Sequence, residues 1–276
     1  MEKTINQQLD ELFNEKWITR YSCEDKKKFV YDGLVYQLNK DHKDDWLIPN
    51  GSPSQAGKEA DLFINQLWLT SPIRVAFVLK DKNTPDGDDT RKWLILDNED
   101  GKKNRNLRTK IMRRLARLLY GLTVEQIGFN QLDNHKIKHT WETTPFAFIE
   151  AKKIAGVSSV AKEEMEEALS RDIDLLMEEI KILDPNILVC FDGEDTQFNY
   201  ITTEFNKLAG KPEIIIERRY DQDNDFKCCL FYYSTLNKVV IKSYHPCDRG
   251  ANWIHFEKVI SPFRELMKNN PKIKLK

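Results

Sequence analysis

The chain has 276 residues, room for one large domain or two small ones, and its 40% apolar and 11% aromatic content suffices for a substantial core. A net charge of -1 argues against a globally basic nucleic-acid binder, although it leaves room for a local basic patch. No run approaches the roughly 18 apolar residues that cross a bilayer, and MEKTINQQLDELFNEKW lacks the apolar core of a signal peptide. The five cysteines are scattered and form no CxxC pair, so free thiols, no cysteine metal site, no membrane and a cytoplasmic address are expected.

In chain order, residues 1–70 read as an N-terminal helical extension packed on the core. Helix-like apolar spacing occupies Ile5 to Trp17 and Phe29 to Leu38; an extended WLIPNGSPSQ follows, then a helical stretch through Leu62, Ile64 and Leu67. The body of the fold is expected over residues 71–267. RVAFVLK (74–80) reads as a buried strand between Pro72 and the turn-rich DKNTPDGDD. RNLRTKIMRRLARLLY (105–120) is an amphipathic helix, with Gly121 as its expected stop. PFAFIE (145–150) is a second strand, and a long helix from about Val160 to Leu183 ends at Asp184 and Pro185.

ILVCF (187–191) is a third strand, and a helix over Phe198 to Leu208 follows it. EIIIER (213–218), CCLFYYS (228–234) and KVVIKS (238–243) add three more, the last two joined by the turn TLN; a helix from about Asn252 to Met267 closes the domain. This alternation predicts an α/β fold with three α/β/α layers and a central, mostly parallel sheet. The terminal KNNPKIKLK reads as a loose basic tail over 268–276.

Three loops follow apolar strands: LKDKNTPDGDD, IEAKK and SYHPCDRG. The carboxyl ends of parallel strands open onto a common crevice, which would bring Asp81, Glu150 and His245 face to face. The aspartate of VLKDKN, the strand ending PFAFIEAKK, the long helix leading to DPNILVCFDG and the final strand ending in HP resemble the uracil-DNA glycosylase superfamily over about residues 72–265.

The resemblance implies that Asp81 positions a water and offsets positive charge on the sugar. It makes His245 the donor to the pyrimidine oxygen of the leaving base. These roles suit N-glycosidic cleavage, whose transition state joins an oxocarbenium-like sugar to an anionic base, and neither needs a metal or cofactor. Glu150 falls where the best-known members read the uracil edge with asparagine. As an acceptor, it suits a base edge carrying an amino group. Asn83 and Trp93 are further base-contact candidates, although a tryptophan beside Leu94 and Ile95 is more often core. Arg249 could fill the duplex as a wedge or contact phosphate. The chain lacks the four spaced cysteines of the iron-sulfur branches.

From Lys102 to Arg117 there are eight Lys or Arg residues and no acid. Arg105, Arg108, Arg113 and Arg117, together with Lys152, are the expected phosphate contacts. The leading expectation is therefore a monomeric DNA glycosylase-like hydrolase. The alternatives are a catalytically altered protein of the same fold that binds nucleic acid or nucleotides, and a hydrolase or nuclease in which Asp81, Glu150 and Asp192 gather a divalent cation.

Overall fold

The computed structural model describes residues 2–36, 53–80, 86–92, 107, 109–156, 161–191, 196–219, 227–247 and 250–275. Two short strands, β1 (Val30–Tyr31) and β4 (Asp88–Asp89), pair in parallel beside the main sheet. The main sheet has seven strands. These are β2 (Gly33–Leu34), β3 (Val75–Leu79), β5 (Phe146–Glu150), β6 (Ile187–Phe191), β7 (Ile214–Arg219), β8 (Lys227–Tyr233) and β9 (Lys238–Ser243). Their spatial order is β2-β5-β3-β6-β9-β8-β7.

The inner four, β5, β3, β6 and β9, are parallel, while β2, β8 and β7 are antiparallel to their neighbours. The parallel sheet expected from alternation is thus the inner half. Helical crossovers make the parallel pairs, and a tight turn, with Asn237 at φ 50°, makes the β8–β9 hairpin. Every residue of β3, β5 and β6 is buried, which is why these strands read as unbroken apolar runs.

Helices cover both faces. One is packed by α1 (Ile5–Leu12), α2 (Pro53–Thr70), α5 (Lys162–Leu183) and α6 (Thr196–Ala209); the other by α3 (Lys110–Thr123), α4 (Asn134–Thr143) and α7 (Asn252–Asn269). The described chain is therefore mixed α/β with helices on both sides of a mostly parallel sheet, and none of its helices is long and apolar enough to cross a membrane.

Several boundaries differ from the sequence reading. Residues Phe29 to Leu34 are strand, not helix: Gly33 adopts φ 136°, which a helix cannot use, and a Cβ there would meet Leu9 Cδ1 at 2.6 Å. Asn6 holds this segment by exchanging hydrogen bonds with the backbone of Leu34, at 2.9 and 3.1 Å. Pro53 to Gln55, expected to be extended, begin α2.

Helix α4 was not expected. Asp133 caps it by accepting from His135 N–H at 2.7 Å, and Trp141 stacks on Phe146 with ring centroids 4.4 Å apart. The tail is docked, with Leu275 buried and Lys274 C=O accepting from Asn237 at 3.0 Å.

Gly121 does not end its helix either; α3 runs on to Thr123. It marks the crossing of α3 over α7, where a Cβ would lie 2.8 Å from Ile260 Cδ1 and 3.0 Å from Phe256 Cε2. Gly121→Ala is expected to lose about 1–3 kcal/mol to overpacking, more than the helix propensity it gains. The loss shrinks when Ile260 is first cut to Val, a coupling that urea unfolding of the double-mutant cycle measures.

Candidate functional site

The first parallel strand, β3, lies between the second and the third, so the crossover from β3 to β5 and the next from β5 to β6 run in opposite directions along the sheet. The crevice at the carboxyl ends of such strands is where open α/β sheets place ligands. Register sets Leu79 beside Glu150 and Phe191 beside Ser243 at that edge. By strand alternation all four point to the face covered by α3 and α7. The edge is therefore apolar at its centre, with a buried carboxyl at one end and a buried hydroxyl at the other, all four side chains packed beneath those helices.

The loop after β9 forms one wall. Arg114, on α3, is 2% exposed and reaches across to it. Its Nη1 donates to Pro246 C=O at 2.9 Å, its Nε to Asn252 Oδ1 at 3.0 Å and its Nη2 to Gly250 C=O. One guanidinium so ties the two ends of HPCDRG to the first turn of α7. Tyr244 packs its ring 3.9 Å from Lys258 Nζ and edge-on to His255, both on α7. His245 itself is half-buried, and its Nδ1 accepts the Cys247 N–H at 3.3 Å. A neutral imidazole accepting at Nδ1 carries its proton on Nε2, leaving Nε2–H as the donor.

The opposite wall, at the end of β5, is built around a buried cation. Lys153 is fully buried, with Nζ 2.5 Å from Asp32 Oδ2 and 2.7 Å from Glu179 Oε2, and 5.1 and 5.3 Å from the ring centres of Phe13 and Trp17. Burial opposes the ammonium, but Asp32 and Glu179 more than offset it and hold its pKa above the ordinary lysine value. Burial, then repulsion from Asp32, lifts the Glu179 carboxyl well above the glutamate range despite Lys153. Asp32 also accepts the Glu150 N–H, so the same carboxylate fixes the strand end.

The expected site residues are distributed unevenly. Glu150 and His245 stand at the shared edge, Glu150 being only 1% exposed. Lys152 is engaged by Glu164 at 3.0 Å, with its side chain 10% exposed, and offers little of itself to a phosphate. Arg113 is exposed, whereas Arg117 is half-buried with its guanidinium 5.5 Å from the centre of the Phe129 ring. Asp81, Asn83, Trp93, Arg105, Arg108, Asp192 and Arg249 lie outside the described residues. Among the described residues no three His, Cys, Asp or Glu side chains gather as a metal site requires.

Arg114 and Lys153 were missed as structural cations. For Arg114 the signal was present: it lies three residues after Ile111 and four before Leu118, on the apolar stripe of α3. No family model matches the chain, and no curated protein matches it.

Two outcomes follow from the two walls. Arg114→Met is expected to strand buried carbonyls at about 1–3 kcal/mol each, and hydrogen exchange should quicken across residues 246–252 before the sheet is affected. Glu179, with a raised folded-state pKa, keeps a proton that the unfolded chain releases above about pH 4.5. Its stabilisation is complete below that pH and is lost as pH rises through the folded-state value. Glu179→Gln should remove that loss, so its urea midpoint gains on the wild type as pH rises above about 4.5.

Proposed function

We propose that the chain is a base-releasing hydrolase of the uracil-DNA glycosylase type, acting on a nucleotide turned out into the crevice at the carboxyl edge. The observation that carries this reading is the state of His245. Its Nδ1 is occupied by the Cys247 N–H at 3.3 Å, so the neutral ring has an N–H donor on the other side. A donor fixed in this way meets negative charge as it builds on a leaving base without having to reorganise.

In this mechanism Asp81 orients the attacking water and steadies the oxocarbenium-like sugar. The water oxygen bonds to C1′ as the glycosidic C–N bond breaks, the electron pair leaves with the base, and the water gives up one proton to the Asp81 carboxylate, which passes it on to the anionic base. His245 Nε2–H donates to the base oxygen on which that charge collects. The Glu150 carboxyl at the end of β5 supports an amino-bearing edge over the carbonyl edge of uracil. Arg105, Arg108, Arg113 and Arg117 then serve the phosphates.

The test is incubation with oligonucleotides carrying uracil, hypoxanthine, xanthine and modified pyrimidines, followed by alkaline cleavage at abasic sites. One substrate should be cut, and His245→Ala should slow its release about 100- to 1,000-fold, the usual loss for one oxyanion donor. Asp81→Ala should slow it as well. Wild-type rates in both variants, or no abasic sites on any substrate, would overturn the mechanism. Salt-dependent binding without release would point instead to a nucleic-acid sensor on the same fold.

A further inference from the structure

Helix α3 is charged against its own dipole. It begins at Lys110 with no acid in its first turn, so exposed Lys110 and Arg113 add to the positive N-terminal end. Lys110, Arg113 and Arg117 follow one another at spacings of three and four residues, a single stripe about 10 Å long at 1.5 Å per residue.

The stripe starts at the crevice: Lys110 and Arg114 both act electrostatically on Cys247, two residues beyond His245, whose thiol burial pushes up against their influence. It ends at Arg117, which rests on Phe129 and has its Nη1 buried without a hydrogen-bond partner among the described residues. Burial and the neighbouring Arg113 both work against the Arg117 charge. Glu257, the carboxylate beside Phe129, accepts from the Phe129 N–H at 2.8 Å and lies 3.6 Å from Arg264. Arg113 and Arg117 form no ion pair among the described residues. Two like charges one turn apart, one of them half-desolvated, leave a positive potential that a bound anion would relieve.

We propose that Lys110, Arg113 and Arg117 form a track for the phosphodiester backbone of a nucleic-acid strand leaving the crevice beside His245, with Phe129 supporting the Arg117 guanidinium. The track rests on the nucleic-acid reading for its ligand class, but not on base release. It predicts polarity in the contact: the strand runs along α3 from its N-terminus towards Phe129.

The experiment titrates the full chain with fluorescein-labelled oligothymidylate over a range of KCl concentrations. Each phosphate contact contributes about 0.7 to the slope of log affinity against log salt for a single strand. Arg113→Gln and Arg117→Gln should each lower the slope by about that amount and weaken binding at low salt. Lys16→Gln, which removes a cation already paired with Glu178 at 2.6 Å, should leave the slope unchanged. Melting curves establish that the variants fold. Wild-type slope and affinity in both folded arginine variants would overturn the track, as would absence of oligothymidylate binding by the wild type. A lowered slope with no base release on any substrate would remove the hydrolase reading and leave the track standing.

Discussion

Lys153 keeps its charge in a place that water does not reach, and much of the architecture follows from how that is arranged. A lone ammonium at the end of β5 would be prohibitive, and its removal from one partner alone would cost about 3–5 kcal/mol. Asp32 comes from the link between β1 and β2, Glu179 from α5, and the rings of Phe13 and Trp17 from the turns after α1. Four segments far apart in sequence must meet at one atom. The N-terminal residues therefore cannot be an appendage: β2 completes the sheet edge against β5, and Asp32 beside it closes the ion cluster.

The two walls of the crevice use buried cations in different ways. At the β5 end, the carboxyl groups of Asp32 and Glu179 flank the ammonium, and burial together with repulsion from Asp32 pushes the Glu179 carboxyl well above the glutamate range. At the β9 end, Arg114 gathers the Pro246 and Gly250 carbonyls of the loop and the Asn252 amide oxygen at the start of α7. A planar fork suits that task because it engages several acceptors at once, whereas an ammonium suits a compact cage.

What could be read from sequence divides along physical lines. The inner strands were legible because burial on both faces demands continuous apolar runs, and α3, α5 and α7 because their apolar residues repeat at helical spacing. Helical spacing misled at Phe29 to Leu34, where the φ of Gly33 and the pairing with β5 override it. Adjacent Arg113 and Arg114 look alike in a basic run, yet only Arg114 falls on the apolar stripe of the helix, and that position sends it inward. Lys153 was illegible in principle: its partners lie 121 residues away at Asp32 and further along at Glu179, and nothing local announces them. Of the site, the shared edge of Glu150 and His245 followed from topology alone, while the clamp that shapes it did not.

The loop KSYHPCDRG shows why that clamp matters for chemistry. A hydrogen-bond donor stabilises developing charge only to the extent that it is already in position, since any reorganisation subtracts from the gain. Pro246 carries no N–H and offers its carbonyl to Arg114, and Gly250 does the same from the far end. Tyr244 is seated against Lys258 and His255, and the Cys247 N–H occupies the inner nitrogen of His245. The neighbours on both sides of the imidazole are thus tied to α3 and α7. The Cys247 N–H orients the imidazole from within the loop, and Arg114 and the Tyr244 contacts hold that loop against α3 and α7.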